Sequence, residues 1–126
     1  MMRPMRMHAL RGAISVEADD ADEILARTTE LMRELLDRNA LSPDDMVSCI
    51  FTATPDLKAA FPAAAARRMG FDQVPLMCAV EIDVPGALPR IIRVMAHYHA
   101  PDADHRAQHV YLGRAKALRT DISSAQ

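Results

Sequence analysis

Hydrophobic residues recur every three or four positions between residues 21 and 38, and this spacing predicts one long amphipathic helix. Asp20, followed three residues later by Glu23, is typical of a helix start, and Asn39 marks the helix end. The other face carries mostly acidic side chains, as expected for a surface in contact with water. The positions predicted to face the core are Ile24, Leu25, Thr28, Leu31, Met32, Leu35 and Leu36.

Shorter apolar runs, separated by Pro, Gly and Asp, predict five β-strands and one further helix. Their order is a strand, the long helix, a strand, a short Ala-rich helix and three strands. This order predicts an α+β domain with a mixed five-stranded sheet packed against the long helix. We expect a single domain over residues 1–126, with a mobile polar tail over residues 120–126. The predicted strands are residues 7–16, 46–53, 75–84, 90–98 and 109–117, and the short helix lies between residues 61 and 70.

Composition narrows the class of protein without naming a function. Half of the residues are hydrophobic but only 4% are aromatic, so the core must be built from aliphatic side chains. A domain of this size gains stability by burying further surface in an oligomer. The net charge of −2 gives no indication of a nucleic-acid partner, which usually requires a strongly basic face.

The cysteines and the N-terminus bear on location. Cys49 and Cys78 both lie in apolar runs and are interpreted as reduced thiols. Residues 1–8 contain basic side chains without the apolar segment of a signal peptide, and no apolar run reaches the roughly 18 residues of a membrane span. The sequence therefore predicts a cytoplasmic protein without a membrane partner.

Two charged residues interrupt apolar strands. Arg93 lies within Ile-Ile-Arg-Val-Met, and Glu81 lies within Cys-Ala-Val-Glu-Ile. Because an unpaired buried charge is strongly destabilising, the two side chains either form a salt bridge, face solvent or line a polar cleft. Arg11, Arg67 and Arg119 favour the cleft, but Arg11 is equally typical of a surface position at a strand bend.

Cys78 carries a weaker signal. It precedes Glu81 by three residues, so in a regular strand the two side chains point to opposite faces of the sheet. No neighbouring base in the sequence would make Cys78 a nucleophile, and the other interpretation is a small core residue.

The histidines do not form a recognisable metal motif. The pairs His97 with His99 and His105 with His109 have spacings that could serve a metal, but no Cys or carboxylate completes a known ligand set. The chain also contains no glycine-rich phosphate loop and no G-x-S-x-G motif. We therefore predict neither a metal nor another cofactor.

A series of short motifs runs along nearly the whole chain. They are Leu10-Arg11-Gly12-Ala13 with Val16-Glu17, Ala53-Thr54-Pro55-Asp56-Leu57, Phe61-Pro62-Ala63, Val74-Pro75 with Cys78, Glu81 and Asp83-Val84, Ile92-Arg93-Val94-Met95, His109-Val110-Tyr111-Leu112 and Leu118-Arg119. Each motif is short, but their order and spacing together are specific. In that order and spacing the chain resembles the AroH class of monofunctional chorismate mutases.

The resemblance implies a homotrimer with the appearance of a pseudo-α/β-barrel, with active sites at the subunit interfaces. It implies conversion of chorismate to prephenate, on the route to phenylalanine and tyrosine. In that reaction Arg93 would face the ether oxygen of the breaking bond, and Glu81, with Cys78, would hold the ring hydroxyl. The residues implied to hold the carboxylates or order the site are Arg11, Tyr111 and Arg119, and those implied to line the pocket are Phe61, Ala63, Arg67, Leu76 and Leu118.

The chain departs from the family pattern at two positions. Ala64 replaces a frequent Lys, which removes one positive charge near the entrance, and Met77 replaces a frequent Thr. Two other functions compete with the mutase. One is a small-molecule-binding or imine-deaminating protein of the similarly folded RidA group, although its arginine motif is missing here. The other is an inactive mutase-like regulatory partner, against which the retained charged residues argue.

Overall fold

Residues 4–101 and 105–118 are described by the computed structural model of this chain. Their helices and strands are β1 Met5–Ser15, α1 Ala21–Arg38, β2 Met46–Ala53, α2 Ala63–Arg68, β3 Leu76–Val80, β4 Ile91–Pro101 and β5 Val110–Leu112. Short 3-10 helices span Pro43–Asp45 and Gly113–Ala117. Arg119 and the tail predicted to be mobile, residues 120–126, lie outside the described residues.

The five strands form one sheet in the order β3-β2-β4-β1-β5. Strand β4 is antiparallel to both β1 and β2, whereas β3 is parallel to β2 and β5 is parallel to β1. The sheet is therefore mixed, and the predicted α+β class is confirmed. Since β5 pairs with β1, the first and last strands lie side by side at one edge of the sheet.

Helix α1 has the predicted bounds because its end signals are strong. The Asp20 carboxylate accepts the N–H of Glu23 at 3.0 Å, and Asn39 follows the last turn. The buried face of α1 packs against one face of the sheet, and their shared core contains Leu10, Ile14, Ile24, Leu31, Met32, Leu35, Phe51, Ile92, Val94 and Tyr98. The other face of the sheet is left for the site.

Two predicted strands are shorter than expected. Strand β3 ends at Val80 rather than residue 84, because its partner β2 ends at Ala53, directly before Thr54-Pro55. Strand β5 ends at Leu112 rather than residue 117. Gly113, with φ of +59°, turns the chain out of the sheet and into a 3-10 helix.

The two longest strands each pass one predicted end, since β1 begins at Met5 rather than residue 7 and β4 ends at Pro101 rather than residue 98. β1 and β4 pair continuously from Met5 opposite Pro101 to Ser15 opposite Ile91. Within β1, a side chain at Gly12 would place its Cβ 3.1 Å from Leu31 Cδ1 and 3.3 Å from the Val110 carbonyl oxygen. Glycine at this position therefore lets α1 and β5 approach β1 closely.

Candidate active site

A row of side chains crosses the open face of the sheet. Thr52 lies opposite Arg93, Arg93 opposite Ala13, and Ala13 opposite Tyr111. Paired residues in neighbouring strands point to the same face, so Arg93 and Tyr111 are separated by two strand spacings, roughly 10 Å. Glu81 extends the row at the β3 end, where its N–H donates to the Ala53 carbonyl at 2.9 Å.

These side chains border a cleft of about 210 Å³, which we call the Arg93 cleft. It brings together four of the residues singled out from the sequence. Its lining is Arg11, Gly12, Ile50, Thr52, Glu81, Arg93, Val94, Met95 and Tyr111. The cleft therefore combines two arginines, one carboxylate and two hydroxyl groups with an apolar floor.

Arg93 and Glu81 form a loose ion pair within the cleft. The distance from Arg93 Nε to Glu81 Oε2 is 3.6 Å, and their side chains are 42% and 24% exposed. The Thr52 hydroxyl donates to the same Glu81 oxygen. Arg93 Nε is buried and has no hydrogen-bond partner among the described residues. The sequence left open both a salt bridge and a polar cleft. Both interpretations hold, since the two charges are near each other and still line an open cleft.

The β1 and β5 side of the cleft is held by backbone pairing and by a histidine. Arg11 is partly buried, and its N–H donates to Nδ1 of His109 at 2.9 Å. Tyr111 is nearly buried against Ala13, and Leu118 packs against the same cluster. Leu118 thus lies beside Tyr111 and is not among the residues that border the cleft in the single chain, so its predicted place in the pocket lining stays a prediction.

Most of the other predicted residues gather at a separate place. Phe61, Ala63, Arg67, Leu76, Met77 and Cys78 border a second cavity of about 290 Å³, which we call the Phe61 pocket. Cys78 pairs with Phe51 of the core, whereas Glu81 points into the Arg93 cleft. Within one chain, Cys78 and Glu81 therefore face opposite sides of the sheet, as the period of two predicted.

Titratable groups elsewhere in the described residues offer little chemistry. No group of three or more His, Cys, Asp or Glu side chains in that part of the chain is arranged to hold a metal ion. Burial raises the pKa of the Cys49 thiol to about 12, so this thiol stays protonated and inert near neutral pH. Among the same residues, no helix has the length and apolar character needed to cross a membrane.

Local sequence patterns do not indicate the roles of two residues in or beside the site. Thr52 has no distinguishing signal in an apolar strand, and only the pairing of β2 with β3 and β4 places it between Glu81 and Arg93. His109 belongs to the spaced pair with His105 and to the motif His109-Val110-Tyr111-Leu112, but neither pattern indicates a contact with Arg11. Its bond to the Arg11 backbone joins residues 98 positions apart, which no local pattern predicts.

The fold and the cleft define a small α+β domain with an arginine-rich cleft on the open face of its sheet. A family model described as chorismate mutase type I matches residues 7–122. The chain therefore belongs to the type I chorismate mutase family and is an isomerase of that kind. This finding favours the mutase over the RidA-like alternative.

Individual relatives agree with the family. The chain is 46% identical over 121 residues to chorismate mutase AroH of Thermus thermophilus, covering 95% of this chain and 99% of the relative. It is 40% identical over 120 residues to chorismate mutase AroH of Bacillus subtilis (strain 168), covering 94% of each. The structure of a chorismate mutase from Clostridium thermocellum superposes with a TM-score of 0.85 at 50% identity, covering 88% of this chain and 99% of the other.

Proposed function

We propose that this chain rearranges chorismate to prephenate in the Arg93 cleft, in the biosynthesis of phenylalanine and tyrosine. One C–O bond breaks while one C–C bond forms, and the rearrangement requires neither a proton transfer nor a covalent intermediate. The protein then has to orient the substrate and stabilise the charge that develops in the transition state. Fixed arginines in the cleft suit this purpose, because guanidinium groups bind the carboxylates of a dicarboxylate substrate.

The observation that carries the proposal is the state of Arg93. As the C–O bond lengthens, negative charge accumulates on the ether oxygen. Arg93 Nε is buried without a hydrogen-bond partner among the described residues, and Glu81 at 3.6 Å does not replace one. A guanidinium held in this way stabilises the transition state more than the substrate, because the oxygen becomes negative only during reaction.

The remaining cleft residues position the substrate. Glu81, oriented by the Thr52 hydroxyl, accepts the hydrogen bond of the ring hydroxyl. Arg11 and Tyr111, at the opposite end of the row, hold a carboxylate. This arrangement separates the hydroxyl of the substrate from its carboxylate across the cleft and favours the compact conformer in which the reacting carbons meet.

We also propose that the complete site is formed between subunits of a homotrimer with a pseudo-α/β-barrel shape. Two observations support this. The Arg93 cleft and the Phe61 pocket lie on different sides of the sheet, so one chain alone does not bring all the predicted residues around one ligand. The β3 edge exposes apolar side chains, with Phe61 73% and Ile82 85% exposed. Sedimentation equilibrium at micromolar concentration should give the mass of three chains, and a monomer would contradict this assembly.

We place the enzyme in the cytoplasm. Cys49 and Cys78 are free thiols, which is typical of a reducing compartment. Fractionation of cells that make the protein should recover mutase activity with cytoplasmic markers, and recovery in an extracellular fraction would contradict this location.

The activity is tested by following the loss of chorismate absorbance with purified protein in the absence of added metal or nucleotide. Arg93→Ala should lower kcat by roughly 10²–10³ or more, because one preorganised donor to the developing charge is lost. Arg93→Lys should also be slow, since an ammonium does not reproduce the planar fork of the guanidinium.

Arg33→Ala provides the matched control, because Arg33 is an exposed α1 arginine that does not border the Arg93 cleft. It should keep the wild-type rate, and circular dichroism should show all three variants folded. No decay of chorismate with the wild-type protein, or full activity of folded Arg93→Ala, would overturn the proposed function.

A further inference from the structure

We propose that His109 is a positioning residue for Arg11, with its neutral imidazole fixing the β1 backbone from which the Arg11 side chain reaches the Arg93 cleft. The inference deepens the proposed function and rests on it, because Arg11 is assigned there to a substrate carboxylate. His109 itself does not border the cleft. Its effect on turnover must therefore pass through another residue.

The contact replaces a hydrogen bond that the sheet does not supply. Strand β5 pairs with β1 from Val110 opposite Gly12 to Leu112 opposite Ile14, so the ladder begins one residue after Arg11. The Arg11 N–H instead donates to Nδ1 of His109 at 2.9 Å. A side chain thus holds the β1 backbone at the point where backbone pairing stops.

His109 is itself held from the other side by α1. The side-chain amide of Asn39 accepts the N–H of Gln108 at 2.7 Å and donates to the Gln108 carbonyl at 3.0 Å. The same amide donates to the Leu35 carbonyl at 2.9 Å, which ties it to the last turn of the helix. The imidazole is consequently presented to Arg11 from a fixed backbone, although residues 105–109 form no regular element.

The contact requires one protonation state. Nδ1 accepts a hydrogen bond only when it carries no proton, whereas both ring nitrogens of the imidazolium are donors. Burial, followed by the nearby Arg11 charge, lowers the pKa of His109 below its ordinary value of 6.5. The imidazole is therefore neutral at the pH of an ordinary activity assay.

Two substitutions separate the acceptor from the bulk of the ring. His109→Leu removes the acceptor and leaves the Arg11 N–H unsatisfied, so we expect kcat/KM to fall by about tenfold. The fall should appear mainly as a higher KM, because a binding arginine is displaced while Arg93 is not. His109→Asn places an amide oxygen near the position of Nδ1 and should restore kcat/KM close to wild type.

A matched control comes from the same segment. The imidazole of His105 bonds to the Tyr98 hydroxyl at 2.6 Å and does not border the cleft. His105→Asn should leave kcat and KM at their wild-type values. A loss equal to that of His109→Leu would show that any disturbance of this segment suffices, and it would overturn the specific role of His109.

A double-mutant cycle distinguishes positioning from general support. If His109 acts through Arg11, then His109→Leu should cause no further loss of kcat/KM in an Arg11→Ala background. The same fold loss in both backgrounds would overturn the proposal, as would a failure of His109→Asn to rescue. If His109→Leu does not fold, His109→Gln takes its place, because its amide oxygen is near the position of Nε2 and not Nδ1.

Hydrogen exchange of the Arg11 amide gives a readout without turnover. The amide should be protected in the wild type and in His109→Asn, and it should exchange faster in His109→Leu. Failure of the wild type to convert chorismate would refute the proposed function while leaving this contact measurable. Unchanged protection in His109→Leu would refute the positioning role even in an active enzyme.

Discussion

The Arg93 cleft and the Phe61 pocket differ in how each is built. The cleft takes its residues from β1, β2, β4 and β5 together with Glu81 just after β3, and two of its charged groups, Arg93 and Glu81, form an ion pair. The pocket is formed at the sheet edge by α2, the segment before it and β3, with Phe61 largely exposed. The fold of one chain thus fixes the groups suited to the chemistry, whereas the groups suited to the entrance are open to solvent in the single chain.

The difference between cleft and pocket is tested most directly by mixing two defective variants. Arg93→Ala disables the cleft and Arg67→Glu disables the pocket by repelling an anionic substrate. If a site takes its cleft from one subunit and its pocket from the next, randomly mixed trimers should contain about a quarter of intact sites. Denaturing and refolding the two variants together should therefore raise chorismate turnover well above that of either alone.

Two controls accompany the mixing experiment. Each variant refolded alone should stay inactive, and a chain with both substitutions should restore nothing when it is mixed with Arg93→Ala. The absence of any restoration in mixed trimers would mean that cleft and pocket serve one site within a single chain.

Glu81 and Cys78 should differ in the size of their contribution. A hydrogen bond to a charged group contributes roughly 1.5–3 kcal/mol, against about 1 kcal/mol for a neutral pair. Glu81→Ala should accordingly lower kcat/KM by roughly 10–150-fold, whereas Cys78→Ala should lower it by about fivefold. Steady-state kinetics with chorismate measures kcat/KM for both variants. An equal loss in the two variants would contradict the difference between cleft and pocket.

The smallest expected effect is on the pH dependence of the free energy of unfolding. Burial lowers the pKa of His109 and of His105, with a further contribution from Arg11 and His8 respectively. Because the unfolded chain then binds more protons than the folded one below the ordinary value of 6.5, the free energy of unfolding should decrease as the pH falls. Urea unfolding from about pH 7.5 to about pH 5 measures this slope.

His109→Asn should make that slope shallower, since one group with a lowered pKa is removed. His99→Asn, which replaces an exposed histidine, is the matched control and should leave the slope unchanged. Equal slopes in wild type and His109→Asn would mean that protonation of His109 is not coupled to folding.

The predictable parts of the fold are those with local signals. Helix α1 was predicted to its ends because Asp20, Glu23 and Asn39 act within a few residues. The predicted end of β5 was wrong, because the turn that ends this strand depends on Gly113 packing against Ser15, a residue distant in sequence. The opposite orientation of Cys78 and Glu81 followed from the strand period, but the Thr52 bond to Glu81 required the order of the strands.

The pairing of β5 with β1 has a consequence for the synthesis of the enzyme. Arg11 and Tyr111 border the same cleft although 100 positions separate them in the chain. During translation, the strands that carry Arg11, Thr52 and Arg93 can assemble before β5 leaves the ribosome, but until then the cleft lacks its Tyr111 side. A nascent chain of this protein therefore carries arginines on an unfinished sheet, and it gains the complete cleft only when β5 pairs with β1.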